Sequence, residues 1–352
     1  MSDTSENDHF DALVDAILAS TPLPFVRAFL REHRQRSKQI RIGETRAEVR
    51  ANLKDALLAK RIGRAEVEEW RDRVEGWGKQ HVYISTIKKR SLSHAHLLSA
   101  KSLSGFLRKK GFLNEEDGNH EPASSHVLSQ VLVDDEMASI VWRSHAVALE
   151  RKKELDETRE LEDGEYEFHA HRRMPRRSAS RFILRKIDGV ALVLIDMPLG
   201  EDHDSLRTEM GKVITAVVAP LSLDPLPLSP IVSSLDQGAV SAYGPKQKRN
   251  VQLGVQPTQS TFRTDGGQVR FKSTREATGY TASDPLRHVR KAMEIAKFAG
   301  EDGKFRLTFE GNHQETHDMV VSLHALESRI FLFSRMNENE VLSLVDQLIM
   351  LS

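Results

Sequence analysis

Two runs of basic side chains carry the clearest chemical signal in the sequence. Residues 171–186 hold seven basic residues and no acidic one, and residues 27–112 hold 22 basic and 9 acidic residues. Lysine and arginine neutralise phosphates and release counterions, so such runs are the electrostatic footprint of phosphate binding. The segment between them, residues 113–170, holds 5 basic and 16 acidic residues. Two interpretations follow: a phosphate-binding surface, or internal pairing of the basic runs with the acidic block.

The stretch HRRMPRRSASRFILRK places its arginines around a proline between two predicted strands. A loop of this composition is suited to following a phosphate backbone or entering a minor groove, because the guanidinium fork matches phosphate oxygens. No aromatic side chains interleave with these charges to stack single-stranded bases, which favours duplex DNA. The predicted contacts are Arg172, Arg173, Arg176, Arg177 and Arg181, followed by Lys88, Lys89, Arg90, Arg34, Arg36 and Lys38.

Recognised catalytic motifs are missing from the sequence. There is no cysteine, which excludes disulfides, thiolate metal sites and cysteine nucleophiles. There is also no Gly-x-Ser-x-Gly turn and neither of the glycine-rich nucleotide loops. We therefore predict no cofactor and favour a non-enzymatic protein.

Histidines and one aspartate are the side chains that could bind a metal. His169 and His171 alternate on a predicted strand and would share a face, whereas His94 and His96 would be about 200° apart on a helix. Asp196 ends another predicted strand. A metal needs three or four converging ligands, and no recognised spacing supplies them. We predict no metal site and keep a metal-dependent nuclease or phosphodiesterase, using Asp196 and the His169 strand, as an alternative.

Helices are predicted to form the N-terminal part of the chain. Apolar residues between Phe10 and Leu18 recur at helical spacing, and a second helix begins near Pro22. Thr45, with Glu48 three residues later, matches a capping box. A fourth helix begins at about Arg64. Together these segments predict a helical bundle over residues 1–79.

Strands dominate the next part, residues 80–235. HVYISTI is β-branched and aromatic, and a helical segment that ends at Gly111 follows it. HVLSQVLVD and MASIVWRSHAVAL suggest a hairpin. SRFILRKI and VALVLIDMP flank the dipeptide Asp188-Gly189, which favours a two-residue hairpin turn. We predict an antiparallel sheet of about five strands and a helix over Asp204 to Ala219.

The remaining residues divide into a connection and a C-terminal unit. Residues 236–280 are rich in Gly, Gln and Ser, which predicts a flexible connection in which VQLGVQ and QVRFKST could pair as a hairpin. Residues 281–352 are predicted to form a helix from Asp284, three strands and a final helix capped by Asn337. The apolar stripe of that last helix must pack on a sheet or on a dimer mate. The predicted fold class is α+β.

Three stretches resemble the kinetochore family of centromere protein N in the order of their elements. They are RAEVEEWRDRVEGWGKQHVYIST leading into a strand, SQVLVDDEMASIVWRSHA as a hairpin, and VALVLIDMP followed by a capped helix. The likeness spans much of the chain as a pattern and includes no diagnostic motif. The resemblance implies a DNA-contacting, non-enzymatic scaffold with a basic groove and a C-terminal protein-binding unit.

The sequence thus predicts a protein that binds double-stranded DNA through phosphates and couples it to a protein partner, or to a second copy, through the C-terminal unit. The alternative is a protein-interaction adaptor or oligomer that binds no nucleic acid. The acidic N-terminus and the absence of a long apolar run predict no membrane contact and an intracellular protein, cytoplasmic or at the nucleoid or nucleus.

Overall fold

The structure is a computed structural model with a mixed α+β architecture, as predicted. It describes residues 3–74, 77, 80–87, 94–113, 126–196, 203–241, 253–264, 267–272, 299–309, 317–333 and 336–352. Within these residues, no helix combines the length and apolarity needed to cross a bilayer.

Four helices form the N-terminal bundle, and all four were predicted. They are α1 (Asp3–Ser20), α2 (Leu23–Arg36), α3 (Arg46–Leu58) and α4 (Arg64–Val74). The capping box at the start of α3 is confirmed, because the Thr45 side chain accepts from the backbone of Glu48 and the Glu48 side chain accepts in return. Apolar side chains at helical spacing make the bundle core, which includes Val14, Ile17, Val26, Leu30, Val49, Leu53 and Val67.

One antiparallel sheet of eleven strands forms the rest of the molecule. Its order is β10-β9-β11-β12-β13-β1-β7-β6-β3-β2, with β8 also beside β1, while β4 and β5 pair separately. The strands are β1 (Gln80–Ile87), β2 (Val127–Val133), β3 (Met137–Arg151), β4 (Glu157–Leu161), β5 (Gly164–Phe168), β6 (His171–Arg185), β7 (Val190–Asp196), β8 (Leu223–Pro225), β9 (Leu253–Thr264), β10 (Gly267–Lys272), β11 (Ala299–Phe309), β12 (His317–His324) and β13 (Arg329–Leu332).

The sheet is larger than the five strands predicted because β1 connects two sets of strands. On one side β1 pairs with β7 from Gln80 to Thr86. On the other side it pairs with β13 and then with β8. The strand that follows the helical bundle therefore occupies the middle of the sheet.

Both predicted hairpins of the central region are confirmed. β2 and β3 pair on either side of Asp134, whose side chain accepts from the backbone of Glu136 and Met137 at 2.8 and 2.7 Å. β6 and β7 are joined by residues 186–189, so the connection has four residues and not the two predicted at Asp188-Gly189. Of these four, Gly189 alone has a positive φ, of +71°. A Cβ at Gly189 would lie 3.2 Å from the carbonyl oxygen of Ile87, so both conformation and space favour glycine there.

The predicted flexible connection over 236–280 differs from the structure at residues 236–241, which belong to a helix, and at residues 253–264 and 267–272, which form strands. β9 and β10 pair there as the suggested hairpin, and β9 also joins the sheet through β11. Small polar side chains face inward, and the hydroxyl of Ser260 donates to buried Asp236 at 3.0 Å. Buried strands usually carry large apolar residues, but here hydrogen-bonded polar side chains occupy buried positions. The sequence therefore did not indicate a buried strand. The helix predicted from Asp284 lies outside the described residues.

Helices cover both faces of the sheet. α5 (Ala100–Lys109) and α6 (His203–Val218) contribute to one core, and α7 (Leu228–Ser241) and α8 (Glu338–Met350) contribute to the other. The capping box of α8 at Asn337 is confirmed. The apolar stripe of α8 is buried against strands of its own chain, so it packs on a sheet and not on a dimer mate. The stripe comprises Val341, Leu344, Val345 and Leu348.

Candidate nucleic-acid interface

A cavity of about 480 Å³ in the N-terminal bundle gathers four arginines. Arg27, Arg31 and Arg34 lie at i, i+4 and i+7 on α2, so they share one face of the helix. Arg41 reaches the same cavity from the segment that joins α2 to α3. Of these four, Arg34 was predicted as a contact. The spacing of Arg27, Arg31 and Arg34 is the sequence signal that could have identified the whole set.

Four arginines and two glutamates, Glu44 and Glu48, line this arginine pocket, so its formal charge is +2. Arg27 donates to Glu44 at 2.6 Å. Arg31, Arg34 and Arg41 have no ion pair or side-chain hydrogen bond with any residue that the structure describes, and all three are exposed. Three guanidinium groups are therefore available to an anion, because arginine stays charged at every accessible pH.

The backbone beside the pocket is held in place by α3. Gly43 has φ of +81°, and a Cβ there would lie 2.8 Å from the Cβ of Glu48. The carboxylate of Glu48 accepts from the backbone N–H of Glu44 at 2.7 Å and of Thr45 at 3.1 Å. These hydrogen bonds hold the pKa of Glu48 below its ordinary value, and the one from the backbone of Thr45 has the largest effect. Glu48 thus fixes the loop that carries Arg41.

The other predicted residues of this region lie beside the pocket. Arg36 donates to Glu66 at 2.9 Å and to Glu32 at 3.5 Å, so its charge is partly neutralised. Lys38 is exposed. Lys88, Lys89 and Arg90 lie outside the described residues.

The arginines predicted on a loop lie instead in one continuous strand, β6. Pro175 is opposite Val147 of β3, and the pairing runs from Met137↔Arg185 to Arg151↔His171 without interruption. Proline has no backbone N–H to donate to a neighbouring strand. The fifteen residue pairs between β3 and β6 stabilise the strand despite that missing donor. The predicted loop over these arginines is therefore corrected to a strand.

Arg181 faces inward and caps a helix. Its side chain donates to the carbonyl oxygens of Asp72 at 2.9 Å and Arg73 at 3.3 Å, which belong to the last turn of α4. The guanidinium lies over the ring of Trp77, 5.1 Å from its centroid, and Arg181 is only 4% exposed. We correct the prediction for Arg181: in this structure it holds the bundle on the sheet and cannot reach a DNA phosphate.

Asp72 also attracts two further arginines of the sheet. Its carboxylate lies 3.5 Å from Arg177 and 3.7 Å from Arg143. Arg143 donates in addition to Ser129 and Gln130 at 3.0 and 2.8 Å. Helix α4 is thus one internal partner of these arginines.

Arg172 and Arg173 are the predicted strand arginines that remain exposed. They are successive residues of β6 and therefore point to opposite faces. Arg176 lies in the same strand. The structure does not bring these residues into the arginine pocket of α2.

The proposed metal ligands lie far apart. Arg181 is paired with Leu194, so Asp196 lies near position 179 of β6, while His171 begins that strand. Eight residues of strand separate the two positions by roughly 26 Å. His169 precedes β6, so the prediction that it shares a strand with His171 is wrong. Among the described side chains, no three His, Asp or Glu residues group as a metal site.

His94 and His96 have a structural role. Their rings stack with centroids 5.2 Å apart instead of diverging. His96 also stacks on Phe106 at 4.2 Å, and its Nε2 lies 2.8 Å from the carbonyl oxygen of Val217. The pair therefore links α5 to α6.

A second cavity, of about 220 Å³, lies between the end of α4 and the sheet. Trp77, Arg181, Ser139 and Glu338 are part of its lining. Burial raises the pKa of Glu338, and the charge of Arg181 opposes that rise. The described lining places no histidine or lysine beside Ser139.

Comparisons with known proteins return no relative. Neither the scan against protein-family models nor the search of curated proteins finds a match to this chain. The resemblance to centromere protein N stays a prediction.

Proposed function

We propose that this chain is a non-enzymatic scaffold that binds duplex DNA by its phosphates, with the arginine pocket of α2 as the principal contact. The observation that supports the proposal is the convergence of Arg31, Arg34 and Arg41 on one cavity. Glu44 and Glu48 also line that cavity, but neither forms an ion pair with these three arginines. Buried or paired arginines serve the fold, whereas exposed arginines that share a cavity repel one another until an anion binds. The resemblance to centromere protein N implies the same activity.

The dimensions of the pocket favour a polyanion over a single small anion. Arg27 and Arg34 are seven positions apart on α2, which separates them by roughly 10 Å along the helix axis. One strand of duplex DNA advances about 3.4 Å per phosphate, so this distance spans about three phosphates. Exposed Lys38, beyond the end of α2, extends the basic surface.

The proposal predicts that removing the unpaired arginines weakens DNA binding. In the variant Arg31→Ala/Arg34→Ala/Arg41→Ala, affinity for a labelled random duplex should fall roughly tenfold or more at low salt. Each lost phosphate contact removes about 0.9 from the slope of log affinity against log salt concentration, so the slope should flatten by about 2 to 3. Fluorescence anisotropy at several salt concentrations measures both quantities.

A charge-matched variant separates the pocket from net charge. Arg61→Ala/Arg108→Ala/Arg270→Ala removes three exposed arginines, from the turn that follows α3, from α5 and from β10. It should bind DNA nearly as well as the parent chain. Equal losses in the two triple variants would contradict the pocket, and no binding by the parent at low salt would favour the adaptor without nucleic acid.

A second variant tests the strand arginines that remain exposed. Arg172→Ala/Arg173→Ala changes residues whose side chains reach solvent and leaves the contacts of Arg177 and Arg181 with α4 intact. If β6 contributes a separate phosphate contact, this variant also flattens the salt slope, by about 1 to 2. An intact-length gel on the same samples with added divalent metal tests the nuclease alternative.

A further inference from the structure

Among the residues that the structure describes, β3 and β6 pair beyond the ends of their neighbouring strands and form a two-stranded ribbon. β3 and β6 pair to Arg151↔His171, whereas β2 pairs with β3 only as far as Arg143 and β7 pairs with β6 only as far as Arg181. The distal hairpin, β4 with β5, follows the end of this ribbon as a separate two-stranded sheet. Every residue of the distal hairpin is exposed.

One face of the distal hairpin carries three large apolar side chains beside the ion pair of Arg159 with Glu157. The register Leu161↔Gly164, Arg159↔Tyr166 and Glu157↔Phe168 places alternate residues of both strands on that face. Leu161, Tyr166 and Phe168 are 48%, 41% and 44% exposed, and the Arg159 guanidinium lies 5.5 Å from the centroid of the Phe168 ring. Three large apolar side chains adjacent on one exposed sheet face form a typical interaction surface.

The charge around this apolar face is strongly negative. Residues 152–168 hold eight acidic and three basic side chains. On the opposite face, Glu160 is directly across from Glu165, and Glu167 is across from Thr158. Like charges directly opposite each other destabilise an antiparallel pair, and a bound cation removes that repulsion.

The base of the distal hairpin is fixed to the ribbon. Arg151 forms a bidentate ion pair with Asp156, and the backbone N–H of Ala170 donates to the same carboxylate at 3.0 Å. Lys152 donates its backbone N–H to Ala170 at 3.0 Å. The hydrogen bond from Arg151 lowers the pKa of Asp156 to about 2. The hairpin is therefore presented in a defined orientation, which lowers the entropy cost of binding.

We infer that the distal hairpin is the docking surface for a basic polypeptide segment of a partner protein. Paired as an added strand along the edge of β5, that segment places alternate residues on the two faces of the hairpin. Its apolar residues then pack on Tyr166 and Phe168, and its lysines or arginines pair with the glutamates of the other face. The negative charge excludes nucleic acid and anionic lipid from this surface, because both would be repelled. This inference is independent of the DNA-binding proposal, which concerns the arginine pocket of α2.

The test uses the full chain and a labelled twelve-residue peptide of alternating lysine and valine. The parent should bind it, and should bind an alternating glutamate and valine peptide at least tenfold more weakly. Tyr166→Ser/Phe168→Ser and Glu160→Gln/Glu165→Gln should each weaken binding at least fivefold, and the second pair should also reduce the salt dependence. Leu326→Ser, which removes an exposed apolar residue between β12 and β13, is the control and should bind like the parent.

Three outcomes would overturn the inference. They are equal binding of both peptides, equal binding by the parent and both hairpin variants, and concentration-dependent self-association that the hairpin variants abolish while the lysine peptide does not bind. Since the distal hairpin is a separate sheet, its variants should keep the parent's unfolding midpoint and DNA affinity. Failure here therefore leaves the DNA-binding proposal standing, and the reverse also holds.

Discussion

Asp72 connects the bundle to the sheet through three arginines. Its carboxylate faces Arg143 and Arg177, and its carbonyl oxygen accepts from Arg181. A helix C-terminus carries partial negative charge, so the position suits a cluster of arginines. The same arginines that read as a nucleic-acid signal in the sequence are thus used, in part, to join two regions of one chain.

We expect Asp72→Ala to destabilise the protein by about 1–3 kcal/mol, because it removes the counter-charge from buried Arg143 and half-buried Arg177. Asp55→Ala, an exposed aspartate of α3 without an ion pair among the described residues, is the control and should change stability by less than about 0.5 kcal/mol. Urea unfolding measures both. Equal stability of the two variants would show that Asp72 is not needed for the contact.

Residue types in the sequence could not separate these two uses of arginine. Arg172 and Arg181 belong to the same basic run, yet one is exposed and the other buried. The difference depends on where α4 ends relative to β6, and Arg181 and Asp72 are 109 positions apart. Arg31 and Arg34, in contrast, belong to one helix, so their spacing alone predicts a shared face.

At the scale of elements, the sequence predicted those features that depend on a few neighbouring residues. The capping boxes at Thr45 and Asn337 are confirmed because backbone geometry near those residues decides them. The hairpin at Gly189 is confirmed too, but its turn has four residues instead of the two predicted. The single strand β6 was wrongly divided because Pro175 is a local signal for a loop, whereas pairing with β3 is not local.

A buried histidine links α2 to α4 and predicts acid sensitivity of the bundle. Nε2 of His33 lies 2.8 Å from Glu66, which also accepts from Arg36 at 2.9 Å. The hydrogen bond with His33 is the largest cause that lowers the pKa of Glu66 below 4.5, its ordinary value. A carboxylate with a lowered folded-state pKa stabilises the fold above its unfolded pKa, and this stabilisation is lost as pH falls through the folded pKa.

Glu66→Gln should therefore cost about 1 kcal/mol at pH 7, and the difference from the parent should shrink as the pH falls below about 4.5. Glu68→Gln breaks only the exposed pair with Arg64 on the same helix and should cost a few tenths of a kcal/mol. Urea unfolding at several pH values measures these differences. A Glu66→Gln deficit that stays constant down to pH 3 would rule out the link.

At the scale of the whole molecule, the sequence could not predict that the strands form one continuous sheet. β1 pairs with β13, and Arg329 contacts His81 across 248 positions of sequence. The alternation of apolar and polar residues shows which face of a strand is buried. It does not show which other strand pairs with it. The units predicted over 80–235 and 281–352 consequently share one sheet and one core.

Because the core is shared, we expect a core substitution in α8 to destabilise the central strands of the sheet as well. Leu344 of α8 is 2% exposed and belongs to the same core as Leu192 and Leu194 of β7 and Ile183 of β6. Leu344→Ala should destabilise the protein by about 2–5 kcal/mol. If the sheet unfolds as one cooperative unit, hydrogen exchange should accelerate in β6 and β7 as well as in β11 to β13. Met350→Ala, on the same helix but 65% exposed, should leave every strand as protected as in the parent. Faster exchange confined to β11, β12, β13 and α8 would mean that the two halves of the sheet open independently.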